Sequence, residues 1–114
     1  MGMTFTEDKF YNLGLVLARS PREARRRTGV GRLYYSIHWA ARHFLAPSGF
    51  VAPTFQAHKA VIHELRKSHP GLADQVKDLR RLRERADYEL SPSLTTTERD
   101  DAVAIASFLW GRLR

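Results

Sequence analysis

Apolar residues recur along this chain at three- and four-residue intervals, and no segment shows the two-residue alternation of a half-buried strand. One run carries Val30, Leu33, Ile37, Ala41 and Phe44. A second carries Phe55, His58, Ile62 and Leu65. A third has Leu72, Val76, Leu79, Leu82 and Ala86, and a fourth has Ala102, Ile105, Leu109 and Leu113. Polar start signals frame these runs. Ser20-Pro21-Arg22-Glu23 reads as a capping box with proline at the first helical position, and Thr95 to Glu98 and Thr4 to Glu7 offer the same chemistry. Pro53 and Pro70-Gly71 punctuate the middle. The pattern predicts helices at about 6–18, 21–46, 54–68, 72–89 and 96–113, joined as an all-α, five-helix, largely up-and-down bundle.

A length of 114 residues suits a single domain, 1–114, with enough chain to bury a core unaided. With no Cys there is no disulfide framework, thiolate metal site or cysteine nucleophile. The first residues lack a basic flank followed by an apolar run, so no signal peptide is expected. No apolar stretch nears the ~20 residues that span a bilayer. A cytoplasmic location without membrane association is the expectation.

Charge changes the picture. The net charge is +7, and the nineteen basic residues are mostly Arg, the side chain suited to bidentate contact with phosphate. Arg19, Arg22, Arg25, Arg26, Arg27 and Arg32 crowd the start of the second helix, where the helix dipole disfavours cations. Local stability does not account for that run; a negatively charged partner does. For Arg19, Arg22, Arg25, Arg26 and Arg27 a solvated face, an acidic protein partner and a nucleic-acid backbone all stay open at this point. A second basic cluster, Lys77, Arg80, Arg81, Arg83 and Arg85, reads as a solvated face.

At about 100° per residue, the second helix splits into two faces. Val30, Leu33, Tyr34, Ile37, Ala41, Phe44 and Leu45 fall toward the core. Arg32, Tyr35, Trp39 and Arg42 fall opposite, with His38 at the boundary. Tyr, Trp and Arg are the residues of interface hot spots and of stacking on unpaired bases. Three readings stay open for this stripe: burial within the bundle, a homodimer seam, or an RNA surface.

The segment from Thr28 to Arg42 resembles the signature helix of the HEPN superfamily, in particular the small stand-alone branch that pairs with minimal nucleotidyltransferases. His58-Lys59-Ala60-Val61 resembles the short His-Lys segment of that branch, and Arg83-Glu84-Arg85-Ala86-Asp87-Tyr88 its Arg-x-x-Ala-Asp-Tyr motif. The resemblance spans about residues 20–110 in the same order. It implies a helical bundle that dimerises through the signature helix, with RNA as target and a nucleotidyltransferase as antitoxin partner. It also implies metal-independent endoribonuclease activity of a toxin–antitoxin or phage-defence kind, without a cofactor. Arg32 would steady charge developing on phosphorus and His38 would serve as acid or base. Tyr35, Trp39 and Arg42 would surround them, Arg19, Arg22, Arg25, Arg26 and Arg27 would hold the RNA backbone, and Arg83, Asp87 and Tyr88 would form a structural group.

The sequence departs from that pattern at one place. Trp39 stands where the branch has its His, directly before the paired Ala, and Arg32 and His38 lie six steps apart, about 120° off one helix face. Catalysis then requires a helix distortion or the partner chain. The alternative is an inactive interaction module that binds a nucleotidyltransferase or another protein. His43 and His63 read as exposed helix positions, His69 as a helix end and His58 as half-core. No His/Asp/Glu set has metal-ligand spacing.

Overall fold

The computed structural model describes residues 5–114, with side chains from Asp8 onward. Five α-helices follow one another: α1 Phe5–Ala18, α2 Glu23–Leu45, α3 Ala57–Ser68, α4 Pro70–Tyr88 and α5 Thr96–Leu113, with one 3-10 turn at Ala46–Ser48. No strand occurs among the described residues, and no helix is long and apolar enough to cross a membrane. The fold is a five-helix bundle in which α2 packs on all four other helices.

The core follows the apolar stripes. Val30, Leu33, Tyr34, Ile37 and Ala41 of α2 are buried with Val61 and Leu65 of α3, Val76 and Leu79 of α4, and Ala102, Ala106 and Leu109 of α5. Leu72, Leu82, Phe44 and Ile105 pack against that core from its rim. Small residues set the distance between α1 and α2. A Cβ on Gly29 would stand 2.2 Å from the backbone nitrogen of Ala18 and 2.8 Å from the Gly14 carbonyl.

The helix starts differ from the expected ones in two places. The Thr95 box forms as read: Thr95 Oγ1 accepts from the Glu98 amide, and the Thr95 amide donates to Glu98 Oε1. The Ser20 box does not form. Arg22 caps α2 in extended conformation with no side-chain bond, and α2 begins at Glu23 rather than Pro21. Glu23 has a stronger engagement elsewhere. Its carboxylate accepts from the Leu94 amide and from Arg27 Nε, each at 2.9 Å, which holds its pKa below the usual value. The other correction is Phe55, expected in the core and 80% exposed. Gln56 adopts a left-handed conformation, φ 56°, so α3 starts at Ala57 and Phe55 precedes it. The side chains of the expected start signal at Thr4 to Glu7 lie outside the described residues.

Glu23 belongs to a device that pins the segment between α4 and α5. The Arg27 guanidinium is buried and donates to the carbonyls of Arg85, Ala86, Glu89, Leu90 and Pro92. Arg26 donates to the Pro21 and Leu94 carbonyls. Arg85 donates to Glu89, Pro92 and Ser93, and pairs with Glu98. Leu94, drawn inward by this grip, is fully buried.

Candidate nucleic-acid interface

The basic run at the start of α2 divides by function. Arg27 leaves the set of candidate RNA contacts, because five carbonyls and a carboxylate occupy its donors inside the protein. Arg26 is half-buried and donates to the carbonyls of Ser20 and Pro21 at the turn into α2 and of Leu94 ahead of α5. Arg19, Arg22 and Arg25 remain exposed, and their guanidinium groups make no hydrogen bond or ion pair among the described residues. These three keep the expected basic face.

On α2 the stripe is at the surface rather than within the bundle. Tyr35 is 37% and Trp39 43% exposed. Each is backed by a guanidinium. Arg42 lies over the Trp39 ring at 4.2 Å, and Arg83 lies 5.0 Å from the Tyr35 ring while donating to its hydroxyl at 2.8 Å. Arg83 also donates to Tyr88 Oη at 3.2 Å and pairs with Asp87 at 2.9 Å. The Arg83, Asp87 and Tyr88 group is thus a brace between α4 and α2. Gly31 makes room for it, since a Cβ there would meet Asp87 Oδ1 at 3.2 Å.

Arg32 and His38 take different directions. Arg32 is exposed, with its guanidinium 5.1 Å from the Phe10 ring of α1. His38 is 3% exposed, and its ring lies 4.4 Å from that of His58 on α3. Arg32 thus faces α1 and His38 faces α3, and no contact joins the two side chains among the described residues. The six-step spacing gives the reason: it turns the second side chain about 120° from the first and carries it about 9 Å along the axis.

Burial pushes the His38 pKa down to about 3, with His58, Arg42 and Arg80 adding to the effect. The ring is neutral at pH 7, and its Nδ1 is buried without a hydrogen-bond partner among the described residues. A consequence for stability follows. Between the ordinary value of 6.5 and about 3 the unfolded chain binds a proton that the folded ring refuses. Stability therefore falls as pH drops through that window, at up to ~1.4 kcal/mol per pH unit from this residue. His58, also shifted down by burial and by Arg80, Arg83 and Arg42, acts in the same direction. The melting temperature should be lower at pH 5 than at pH 7, and the difference should shrink in His38→Phe. An equal pH dependence in that variant would show that His38 is not held neutral.

Helix periodicity exposes the stripe and sets His38 at its boundary, whereas the fold buries His38 inside; His58 is half-buried, as its spacing predicts. The neighbours of His38 have no local sequence signal, because they come from α3 packed against α2. Comparison with family models, curated proteins and solved structures finds no match for this chain.

Proposed function

We propose that this protein is an RNA-directed module of the HEPN type that binds single-stranded RNA on the outer face of α2. The observation that carries the reading is the pair of exposed rings, Tyr35 and Trp39, each with a guanidinium against it. A ring so held is a pre-ordered platform for an unpaired base, and stacking of this kind contributes about 1–3 kcal/mol per base. Arg19, Arg22 and Arg25 would supply the sequence-independent grip on phosphate. Homodimerisation and a nucleotidyltransferase partner accompany this reading through the resemblance. An endoribonuclease of the toxin–antitoxin or defence kind would need its Arg and His completed across a dimer, since they diverge within one chain.

The test is anisotropy of a labelled 12-nucleotide single-stranded RNA, compared with a duplex, at increasing salt. Trp39→Ala should weaken single-strand binding by about tenfold or more. Replacing Arg19, Arg22 and Arg25 together with Gln should flatten the salt dependence by about two units of log–log slope. Wild-type protein that binds no RNA at low salt, or Trp39→Ala that binds as well as wild type, ends this reading and leaves the stripe to a protein partner. Cleavage of the RNA in EDTA by the same preparation would add the enzymatic step.

A further inference from the structure

The end of α4 lies along the first half of α2 in antiparallel register. Arg83 donates to Tyr35 Oη, Asp87 stands against Gly31, and the carbonyls of Ala86 and Glu89 accept from Arg27. Tyr88, the last residue of α4, is thereby set beside the outer stripe of α2, with 68% of its surface exposed. An exposed tyrosine at a helix end is ordinarily free to turn. This one is tethered: Arg83 Nη2 donates to its hydroxyl at 3.2 Å, and the guanidinium carbon lies 5.2 Å from its ring centre. The same nitrogen donates to the Tyr35 hydroxyl at 2.8 Å, with the guanidinium carbon 5.0 Å from that ring. Two exposed rings from two helices thus converge on one anchor. The anchor is itself fixed, since the Arg83 side chain is 11% exposed and pairs with Asp87 at 2.9 Å.

The brace between the helices needs only part of this. Arg83, Asp87 and the Tyr35 hydroxyl already tie α4 to α2, and Arg27 ties the end of α4 a second time. Tyr88 adds one hydrogen bond in an exposed position, where exchange with water leaves little net gain. What it does supply is aromatic area ordered at the surface. Ordering a ring in advance removes part of the entropy cost that a ligand otherwise meets on binding.

The place of the ring indicates its ligand. Trp39 and Tyr35 are four residues apart on α2, about 6 Å along its axis, and Gly31, beside the end of α4, is one turn further. Beyond it, toward the start of the helix, stand the exposed arginines Arg25 and Arg22. Trp39, Tyr35 and Tyr88 therefore form a line of rings that runs toward the basic face. A turn of about 6 Å exceeds the about 3.4 Å per nucleotide of a duplex strand, so bases following the rings would be parted from one another and stacked on protein. We propose that Tyr88, joined to Tyr35 through Arg83, is a nucleobase-binding site that carries a single RNA strand from α2 across to α4. This site rests on the RNA reading above and adds to it a third ring and a second helix.

The experiment measures the affinity of two labelled strands by anisotropy: a 12-nucleotide single-stranded RNA, and a strand of the same length and backbone that lacks every base. Tyr88→Leu should weaken binding of the first by about fivefold or more, the loss of one stacked base. It should leave the second unchanged, because the grip on phosphate does not involve the ring. Tyr88→Phe keeps the ring and loses only the hydroxyl, so its affinity for the RNA should lie closer to wild type than to Tyr88→Leu. Equal RNA affinity in wild type and Tyr88→Leu overturns the proposal. An equal loss on both strands also overturns it, since that marks Tyr88 as a support of the fold rather than a contact to a base. RNA binding that depends on Trp39 but not on Tyr88 keeps the reading of the α2 face and removes this site. Wild type that binds no RNA removes both and leaves the rings to a protein partner.

Discussion

Arg27→Met should be among the most destabilising single substitutions in this protein, costing about 3–5 kcal/mol of folding free energy. The guanidinium gathers the carbonyls of Arg85, Ala86, Glu89, Leu90 and Pro92 and the Glu23 carboxylate around one buried charge. Methionine fills similar space but donates nothing, leaving a carboxylate and several carbonyls short of partners in a half-closed site. Net gains per hydrogen bond are about 1 kcal/mol, so the loss comes from leaving several acceptors unmade at once. Arg27→Lys should recover less than half of it, because a single ammonium cannot reach acceptors spread over a planar fork. Arg25→Met, exposed two positions away, should change stability by no more than ~0.5 kcal/mol. Urea denaturation of the three variants decides the matter, and an Arg27→Met midpoint close to that of Arg25→Met would sink the assignment.

Gly29→Ala is expected to cost about 3 kcal/mol, although alanine is the better helix former by about 1 kcal/mol. The added methyl would stand 2.2 Å from Ala18 N and 2.7 Å from its Cα. Both neighbours are backbone, so no side chain can swing aside, and α1 must lift from α2. Gly111 gives the opposite sign. It is helical, and a Cβ there meets nothing within 4 Å, so Gly111→Ala should stabilise by about 0.5–1 kcal/mol. Thermal melts of the two variants, expected to move in opposite directions, test the close approach of α1 and α2. Two upward shifts would mean that the helices stand farther apart than described.

The five helices were legible because their stops and starts are local: Pro70, the Thr95 box and the three- and four-residue spacing each act within a few residues. The errors arose where a distant partner outbid a near one. Glu23 is placed to close a box with Ser20, but Leu94, 71 residues away, offers it an amide inside the protein. Arg27 looks like its neighbours in the basic run, and only the carbonyls at the end of α4 distinguish it. Phe55 kept the period of α3 while Gln56 broke the helix before it. The outward stripe of α2 was readable from helix periodicity, whereas the surroundings of His38 were not, since they come from α3 and α4.

The two tryptophans occupy unrelated settings, and this makes the molecule its own pair of optical reporters. Trp110 of α5 is stacked on Tyr11 of α1 at 4.2 Å, the two rings nearly parallel, with Arg114 4.3 Å from the same indole. Its emission therefore records whether the first and last helices have come together. Trp39 is exposed on α2, with the Arg42 guanidinium 4.2 Å from its ring. Its emission records what settles on that helix, so surface occupancy and global unfolding can be followed separately, each in a variant that keeps one indole and has the other replaced by phenylalanine.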